Sequence, residues 1–439
     1  MVCPGQGQAT APTRGYGKTL SFSGTFVDYA LGIVDRLLLS NVLSVNLTAI
    51  KRKDIVIVLK GVVRSASGLV VLKSVNRVYN VLGRPSVVVA GIYLIFITLL
   101  TLIHHYSMID YVHIGTLFAR RDPHGTIGYD GQFYYFLARD PWHAHQYMDN
   151  APYRYQRIVY GLLVYIVSLG QASLIPFLLL FVNFLSIVLS VEIVARLLAQ
   201  RNLSPWFSLP LGLYFGQATA FIFDTTEPLT IALLCIGLWY LERKRITTSA
   251  VFMGLAALSR ETAILFPLVY AISFLWQQRW LDVARFLVLA ILPMFVWYVV
   301  IWVIFGQTGL TYAPAFEPIP FGGIFAFLSS PLYFWSLIGL MFIPTVGGWF
   351  FVLREVFYQH WGNSAFFIWG LNLILVTFMS VLSYQEYVSS GRISTTLILA
   401  TLLYAWSSAN RTLLRVAQYY ALTFPFYAIG VMLIRFVPT

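Results

Sequence analysis

The residues best suited to chemistry lie in a polar segment, residues 107–157, that interrupts an otherwise apolar chain. Within it, Asp130 stands between two glycines and beside aromatic residues, in the sequence GYDGQFYY. Glycine permits tight turns and close approach of a ligand. A carboxylate held there could act as a general base toward a hydroxyl group or bind a divalent cation. A solvated turn in which Asp130 caps a helix starting near Gln132 explains the pattern equally well.

Further ionisable residues occur where apolar stretches break. Glu227 follows Asp224 in FDTTEPLT; helix capping explains part of this pattern, but an acid beside the membrane is costly and tends to mark function. Arg260 and Glu261 interrupt the largely apolar residues 250–276. The two residues could form an internal ion pair that lowers the cost of insertion, and the arginine could bind an anion such as phosphate; the two interpretations are compatible.

Arginines elsewhere are candidates for phosphate binding. Arg154 and Arg157 lie three positions apart in PYRYQR, so one helical face could carry both. With Tyr153 and Tyr155 they could hold a lipid phosphate at headgroup depth, or make only nonspecific phospholipid contacts. Arg392, in SSGRIST at the start of a late apolar stretch, is a further candidate of the same kind.

Composition indicates what must position these residues. Hydrophobic residues make up 59% of the 439 positions and charged residues 10%, against about 25% charged in a soluble domain. Lipid must therefore cover much of the chain. The net charge of +12 is concentrated in residues 1–86, which contain eleven Lys or Arg and three Asp. We interpret these residues as a basic cytoplasmic segment, partly disordered or interfacial, that contacts membrane lipid rather than nucleic acid.

Residues 87–439 are predicted to form an all-α, polytopic domain of the plasma membrane with about eleven transmembrane helices, since about 20 apolar residues span a bilayer. The predicted spans are 87–106, 173–197, 206–223, 226–241, 249–259, 261–276, 286–305, 331–352, 364–383, 393–408 and 417–436. The short stretch 158–170 is expected to lie at the interface. The basic loops then indicate a cytoplasmic N-terminus and make 107–157 a large extracytoplasmic loop.

The motifs GYDGQFYY, ARDP, APYRYQR, DTTEP, ALSRETAIL and SGRIST, in this order, resemble a bacterial family of polytopic membrane glycosyltransferases of the GT-C type. The resemblance covers roughly residues 88–405. It implies transfer of a sugar from a polyprenyl-phosphate carrier to an extracytoplasmic lipid, glycan or protein acceptor, with inversion at the anomeric centre. Asp130 matches the catalytic acid of the first loop. No cofactor is certain; Mg²⁺ or Mn²⁺ would have Asp130 and Asp140 as candidate ligands.

The same resemblance suggests roles for the other polar residues. Four arginines are expected to bind the donor phosphate: Arg154, Arg157, Arg260 and Arg392. Two acids are expected to orient these arginines or bind sugar hydroxyls: Glu227 and Glu261. Two aromatic residues are expected to stack on a sugar face: Tyr134 and Tyr135.

Two other functional classes remain open. A transporter or flippase for a lipid-linked or anionic substrate would line a path across the bilayer with ionisable residues and show an internal repeat. No repeat is visible, and the polar residues map to one face, which favours an enzyme. A structural subunit that has lost catalytic function is the third class. No G-x-x-x-x-G-K-[ST] motif occurs, so an ATP-driven pump is not favoured.

Overall fold

The structure, a computed structural model, describes residues 83–360 and 362–433, all within the compact unit Asn76–Thr439. Almost all of the predicted basic segment 1–86 lies outside the described residues. In the part that is described, the regular structure is helical, with a single antiparallel bridge between Ile114 and Gly128. The prediction of an all-α chain is therefore confirmed for these residues.

Long apolar helices confirm a membrane protein in general terms. Five helices among the described residues are long and apolar enough to cross a membrane: Pro85–His104, Ile175–Gln200, Trp280–Phe305, Pro331–Phe357 and Arg411–Leu433. Shorter apolar helices accompany them: Ile158–Ser168, Ile246–Ser259, Glu261–Trp276 and Ser364–Thr377. The total of eleven spans stays a prediction.

One predicted span is broken. Residues 206–223 do not form one helix but the three short helices Pro205–Ser208, Leu209–Gly212 and Phe215–Ile222. Prolines at the starts of the first two lack the N–H that would continue a helix. All eight residues of Phe215–Ile222 are buried, so this segment packs against protein rather than lipid.

The remaining helices complete the connections. The polar segment 107–157 is ordered, with the short helices Met108–Val112, Thr116–Ala119, Gly131–Arg139, Ala144–Tyr147 and Ala151–Tyr155. Later in the chain come Glu227–Glu242, Gly309–Tyr312, Gly322–Phe325, Val381–Tyr384, Tyr387–Ile393 and Thr395–Ser407. Two of these matter most below: the first-loop helix, Gly131–Arg139, and the Arg392 helix, Tyr387–Ile393.

Packing places Ile175–Gln200 in the middle of the fold, in contact with Pro85–His104, Ile158–Ser168 and Glu227–Glu242. Ile158–Ser168 has 11 residues, hence roughly 16 Å of length at 1.5 Å per residue. A bilayer core of about 30 Å is too thick for it to cross alone. It contacts both the central helix and the first-loop helix, Gly131–Arg139, and so supports the polar segment.

The predicted orientation leads to a labelling test. Trp142, in the polar segment, is 79% exposed, and Gln200 is exposed at the end of the central helix. In a Cys3→Ser background, a membrane-impermeant maleimide should label Trp142→Cys in intact cells, whereas Gln200→Cys should react only after permeabilisation. Both variants keep every basic residue that determines orientation. The reverse labelling pattern would show that the polar segment faces the cytoplasm.

Candidate functional site

Asp130 occupies the N-cap position of the first-loop helix, but within the described residues its side chain makes no capping hydrogen bond. Instead, Nη1 of Arg154 donates to Oδ1 of Asp130 at 2.8 Å, and Nη2 of Arg392 donates to Oδ2 at 2.6 Å. The carboxylate therefore bridges two guanidinium groups. Ion pairing, rather than capping, determines where this side chain points.

Arg392 connects Asp130 to a second, deeper carboxylate. Its Nε donates to Oε1 of Glu227 at 3.0 Å, and Nη1 of Arg260 donates to the same oxygen. Glu227 is completely buried, and the side chains of Arg260 and Arg392 are 4% and 5% exposed. Charges in such surroundings persist only when they are paired, so this acid is the counterion of both arginines.

Glu227 begins its helix after Thr226, the N-cap residue. The hydroxyl of Thr226 bonds to the hydroxyl of Ser259 at 2.6 Å, and the structure describes no capping hydrogen bond from its side chain. This contact joins the start of Glu227–Glu242 to the end of Ile246–Ser259. The broken ends of two apolar helices are thereby held together, and each presents one charged residue to the other.

Arg157, which is buried, pairs with Glu261, whose side chain is 28% exposed. Nε and Nη2 of Arg157 donate to the two oxygens of Glu261 at 2.8 and 2.5 Å. An internal pair would require Glu261 to bind its neighbour Arg260, but Glu261 binds Arg157 instead. Arg154 and Arg157 also fail to share one helical face, because helix Ala151–Tyr155 ends between them and they bind different carboxylates.

Arg154 has a second anchor that the sequence did not single out. Its Nε and Nη2 donate to the oxygens of Asp149 at 2.8 and 2.6 Å, in the bidentate geometry that guanidinium groups favour. Its guanidinium carbon also lies 4.2 Å from the centre of the Phe133 ring. An acid five residues before an arginine in MDNAPYRY was the available signal, but nothing in that spacing distinguishes it from a solvated loop charge.

Two other residues at the site were missed by the sequence reasoning. The ring of Tyr129 lies over Arg392, with 5.3 Å between the guanidinium carbon and the ring centre. The Tyr129 hydroxyl donates to Oε2 of Glu386 at 3.2 Å. Glu386 is exposed and precedes the Arg392 helix, Tyr387–Ile393, so it lies at the rim of the cluster.

Small residues permit the close approaches that assemble the cluster. A Cβ at Gly131 would lie 2.5 Å from the carbonyl oxygen of Phe223, and one at Gly216 would clash with the backbone of Gly391. The first contact brings the start of the first-loop helix to the Asp224 turn. The second seats the Arg392 helix against Phe215–Ile222. Larger side chains would push Asp130 and Arg392 apart.

The charges of the cluster determine how Asp130 behaves. Burial by itself would raise the pKa of Asp130, but the neighbouring guanidinium groups of Arg154 and Arg392 outweigh it and hold that pKa well below its usual range. Asp130 is therefore ionised at neutral pH. With its two oxygens engaged by cations, it is a weak base in this state of the protein.

Two of the predicted sugar-binding residues are buried on the first-loop helix. Tyr134 and Tyr135 are 7% and 8% exposed and pack against Tyr160 and Phe136. Both rings are covered in this structure, and their predicted stacking on a sugar face stays a prediction. Helix Gly131–Arg139 is buried on nearly all sides, so its tyrosines contribute to the core.

The predicted metal ligands are also separated. Asp140 follows the opposite end of the first-loop helix from Asp130, and its Oδ2 is 2.7 Å from Nδ1 of His143. This hydrogen bond lowers the pKa of Asp140. Among residues 83–360 and 362–433, no three His, Cys, Asp or Glu side chains group closely enough to hold a metal ion. A divalent cation bound by both acids therefore does not fit this arrangement.

An apolar groove adjoins the cluster. It has a volume of about 360 Å³ and is lined mainly by hydrophobic residues, among them Phe215, Phe223, Leu340, Tyr387, Phe426 and Gly430. Phe426 is 76% exposed, so the groove opens to the apolar surface of the helices. Its lining residue Phe223 packs on the ring of Tyr129 at 4.7 Å, and the Tyr129 ring lies over Arg392, so the groove lies beside the charged cluster.

The shared counterion leads to a stability prediction. Glu227→Gln leaves Arg260 and Arg392 buried without their common anion, and we expect a loss of about 3–5 kcal/mol of unfolding free energy. Glu242→Gln is the matched control, since its pair with Arg201 is 27–37% exposed and should be worth less than about 1 kcal/mol. Thermal unfolding of both variants in the same detergent measures the difference. Equal shifts would show that the buried cluster does not depend on Glu227.

Comparisons with known proteins add no family to this description. No protein-family model matches the sequence, and neither a curated protein nor a solved structure matches it significantly. What the protein can do is therefore inferred from its own residues: one acid between two arginines, further ion pairs of Glu227 and Glu261 with arginines, and an apolar groove beside them.

Proposed function

We propose that this protein is a membrane glycosyltransferase that moves a sugar from a polyprenyl-phosphate carrier to a lipid, glycan or protein acceptor outside the cytoplasm. The observation that carries the proposal is Asp130 held between Arg154 and Arg392. This arrangement combines a candidate general base with two groups suited to binding phosphate. The resemblance of the motif series to GT-C enzymes, in which Asp130 matches the first-loop acid, supports the same function.

The proposed reaction is a single displacement. The acceptor oxygen bonds to the anomeric carbon and its proton passes to the Asp130 carboxylate. The bond between the anomeric carbon and the phosphate oxygen breaks, and the electron pair stays on the phosphate. Arg154 and Arg392 stabilise the charge that develops there. Attack opposite to the leaving group inverts the anomeric centre.

The ion pairs of the two glutamates support this assignment of roles. Glu227 contacts both Arg260 and Arg392, and Glu261 contacts Arg157. Of the two roles expected for these acids, the contacts support orientation of the arginines rather than binding of sugar hydroxyls. Preorganised cations lower the cost of rearrangement when charge develops on the leaving group.

The apolar groove supports a lipid-linked donor. A polyprenyl chain needs an apolar surface that is continuous with the bilayer, and its phosphate needs cations at the end of that surface. The groove lined by Phe426 and Gly430 opens outward and ends near Tyr129 and Arg392. We place the site at the outer face of the plasma membrane, as the distribution of basic loops predicts.

Loss of the carboxylate tests the proposed base. Purified wild type and Asp130→Asn would be incubated with a panel of polyprenyl-phosphate sugars and acceptor alcohols, and release of polyprenyl phosphate measured. We expect Asp130→Asn to lower the rate on the order of 10²–10⁴-fold. Asp122→Asn, an exposed acid of the same polar segment, should keep wild-type activity. Parallel reactions with Mg²⁺, Mn²⁺ or EDTA test dependence on a divalent cation.

Two results would contradict the proposal. Equal turnover by wild type and Asp130→Asn would remove Asp130 as the base. No turnover with any donor, combined with movement of a labelled donor across vesicles containing the protein, would favour a transporter.

A second prediction concerns the lipid chain. The structure describes no heavy atom within 4 Å of a Cβ added at Gly430 in the groove or at Gly91 on helix Pro85–His104. Gly430→Trp should fill the groove and raise the KM for a long-chain donor at least tenfold, with less effect on a short-chain phosphate sugar. Gly91→Trp lies outside the groove and should leave both values unchanged. Equal effects of the two variants would argue against the groove as the chain site.

A further inference from the structure

The Asp130 carboxylate accepts the hydrogen bonds from Arg154 and Arg392 that a bound phosphate would need. Each of its oxygens accepts a hydrogen bond from a different arginine, at 2.8 Å from Arg154 and 2.6 Å from Arg392. Two phosphate oxygens bridging the same guanidinium groups would make the same kind of contact. An anionic ligand that uses both arginines must therefore replace the carboxylate.

The two arginines do not depend on Asp130 for their positions. Arg154 is held by two hydrogen bonds to Asp149, and Arg392 by one to the buried Glu227. Each guanidinium thus keeps an anchor carboxylate when Asp130 turns away. Within the described residues, Asp130 is the one acid that contacts both arginines.

Asp130 is more exposed to solvent than Glu227, the buried carboxylate that holds Arg392. The side chain of Asp130 is 21% exposed, whereas that of Glu227 is fully buried. Asp130 also lies at the start of the first-loop helix, so a change of rotamer can turn its carboxylate without moving a helix axis. Arg392 has further capacity for an anion: its Nη1 is buried and has no hydrogen-bond partner in the part of the chain that the structure describes.

We propose that the Asp130 carboxylate occupies the position of the donor phosphate between Arg154 and Arg392. The phosphate of the lipid carrier displaces Asp130 from these two arginines, and this displacement activates Asp130 as the base. The inference rests on the proposed function for its second half. Its first half, exchange of a carboxylate for a phosphate at two arginines, holds for any phosphate ligand of this site.

The exchange imposes an order on the reaction. While it is paired with two arginines, Asp130 is a poor proton acceptor. Once the phosphate takes those contacts, the carboxylate is free and lies near an added negative charge. Its affinity for a proton therefore rises. The acceptor hydroxyl is then deprotonated only when a donor is present. After transfer, Asp130 returns its proton to solvent and competes again for the arginines, which favours release of the carrier phosphate.

Binding measurements test the exchange without requiring turnover. The purified full-length protein in nanodiscs would be titrated with undecaprenyl phosphate, with tryptophan fluorescence as the signal. We expect Asp130→Asn to bind at least about tenfold more tightly than wild type, because a neutral amide competes less for the arginines. Asp130→Glu, which keeps the charge, should bind about as tightly as wild type, and Arg392→Gln should bind at least about tenfold more weakly.

Inorganic phosphate separates the headgroup from the chain. It should show the same gain in affinity with Asp130→Asn at a weaker absolute affinity, since it cannot use the apolar groove. Asp130→Ser serves as a second neutral variant if Asp130→Asn unfolds, with thermal unfolding as the check on integrity. Unchanged or weaker phosphate binding by the neutral variants would overturn the exchange, as would a lack of binding to wild type and variants alike. Tighter binding without turnover of any donor would retain the exchange and reject the glycosyltransferase.

Discussion

Unpaired charge is expensive in an apolar interior, and the arrangement of this protein around Asp130 follows from that constraint. Four arginines enter the helical body, and each is matched by a carboxylate from another part of the chain. Asp130 and Glu227 both contact Arg392, so Arg154, Arg260 and Arg392 belong to one connected network of ion pairs, while Arg157 pairs separately with Glu261. Removal of one charged residue therefore leaves its partners buried and unpaired, which is costly. The network thus stabilises the fold as well as forming the candidate site.

The breaks in the helices coincide with the charged residues of the network. Apolar helices break before Glu227 and at Arg260–Glu261, so that charged residues lie at helix ends instead of on lipid-facing surfaces. Glycines at 131, 216 and 391 allow the first-loop helix and the Arg392 helix to approach the buried turn. Short helices, which could not cross a bilayer alone, support the polar segment by packing against the central helix Ile175–Gln200.

Cations at the end of an apolar groove suit an amphipathic ligand with an anionic head. Neither part is sufficient alone, since arginines close to a membrane also bind phospholipids and apolar grooves also accommodate acyl chains. Phe223 of the groove packs on Tyr129, whose ring lies over Arg392, and this closeness of groove and cations supports the proposed lipid-phosphate ligand. The transporter alternative would place its ionisable residues along a path, whereas here they converge on one cluster.

The sequence by itself determined the class of protein and most of the site's members. Composition required lipid as the solvent, and isolated charges in apolar surroundings identified Asp130, the arginines and the two glutamates, because such residues are costly unless they are used. Tertiary structure decided the pairing. Asp130 and Arg392 are 262 positions apart, Arg260 binds Glu227 rather than its neighbour Glu261, and Tyr134 and Tyr135 belong to the core. Spacing along a chain predicts neighbours within one helix, but these contacts join ends of different helices, whose positions follow from the packing of the whole fold.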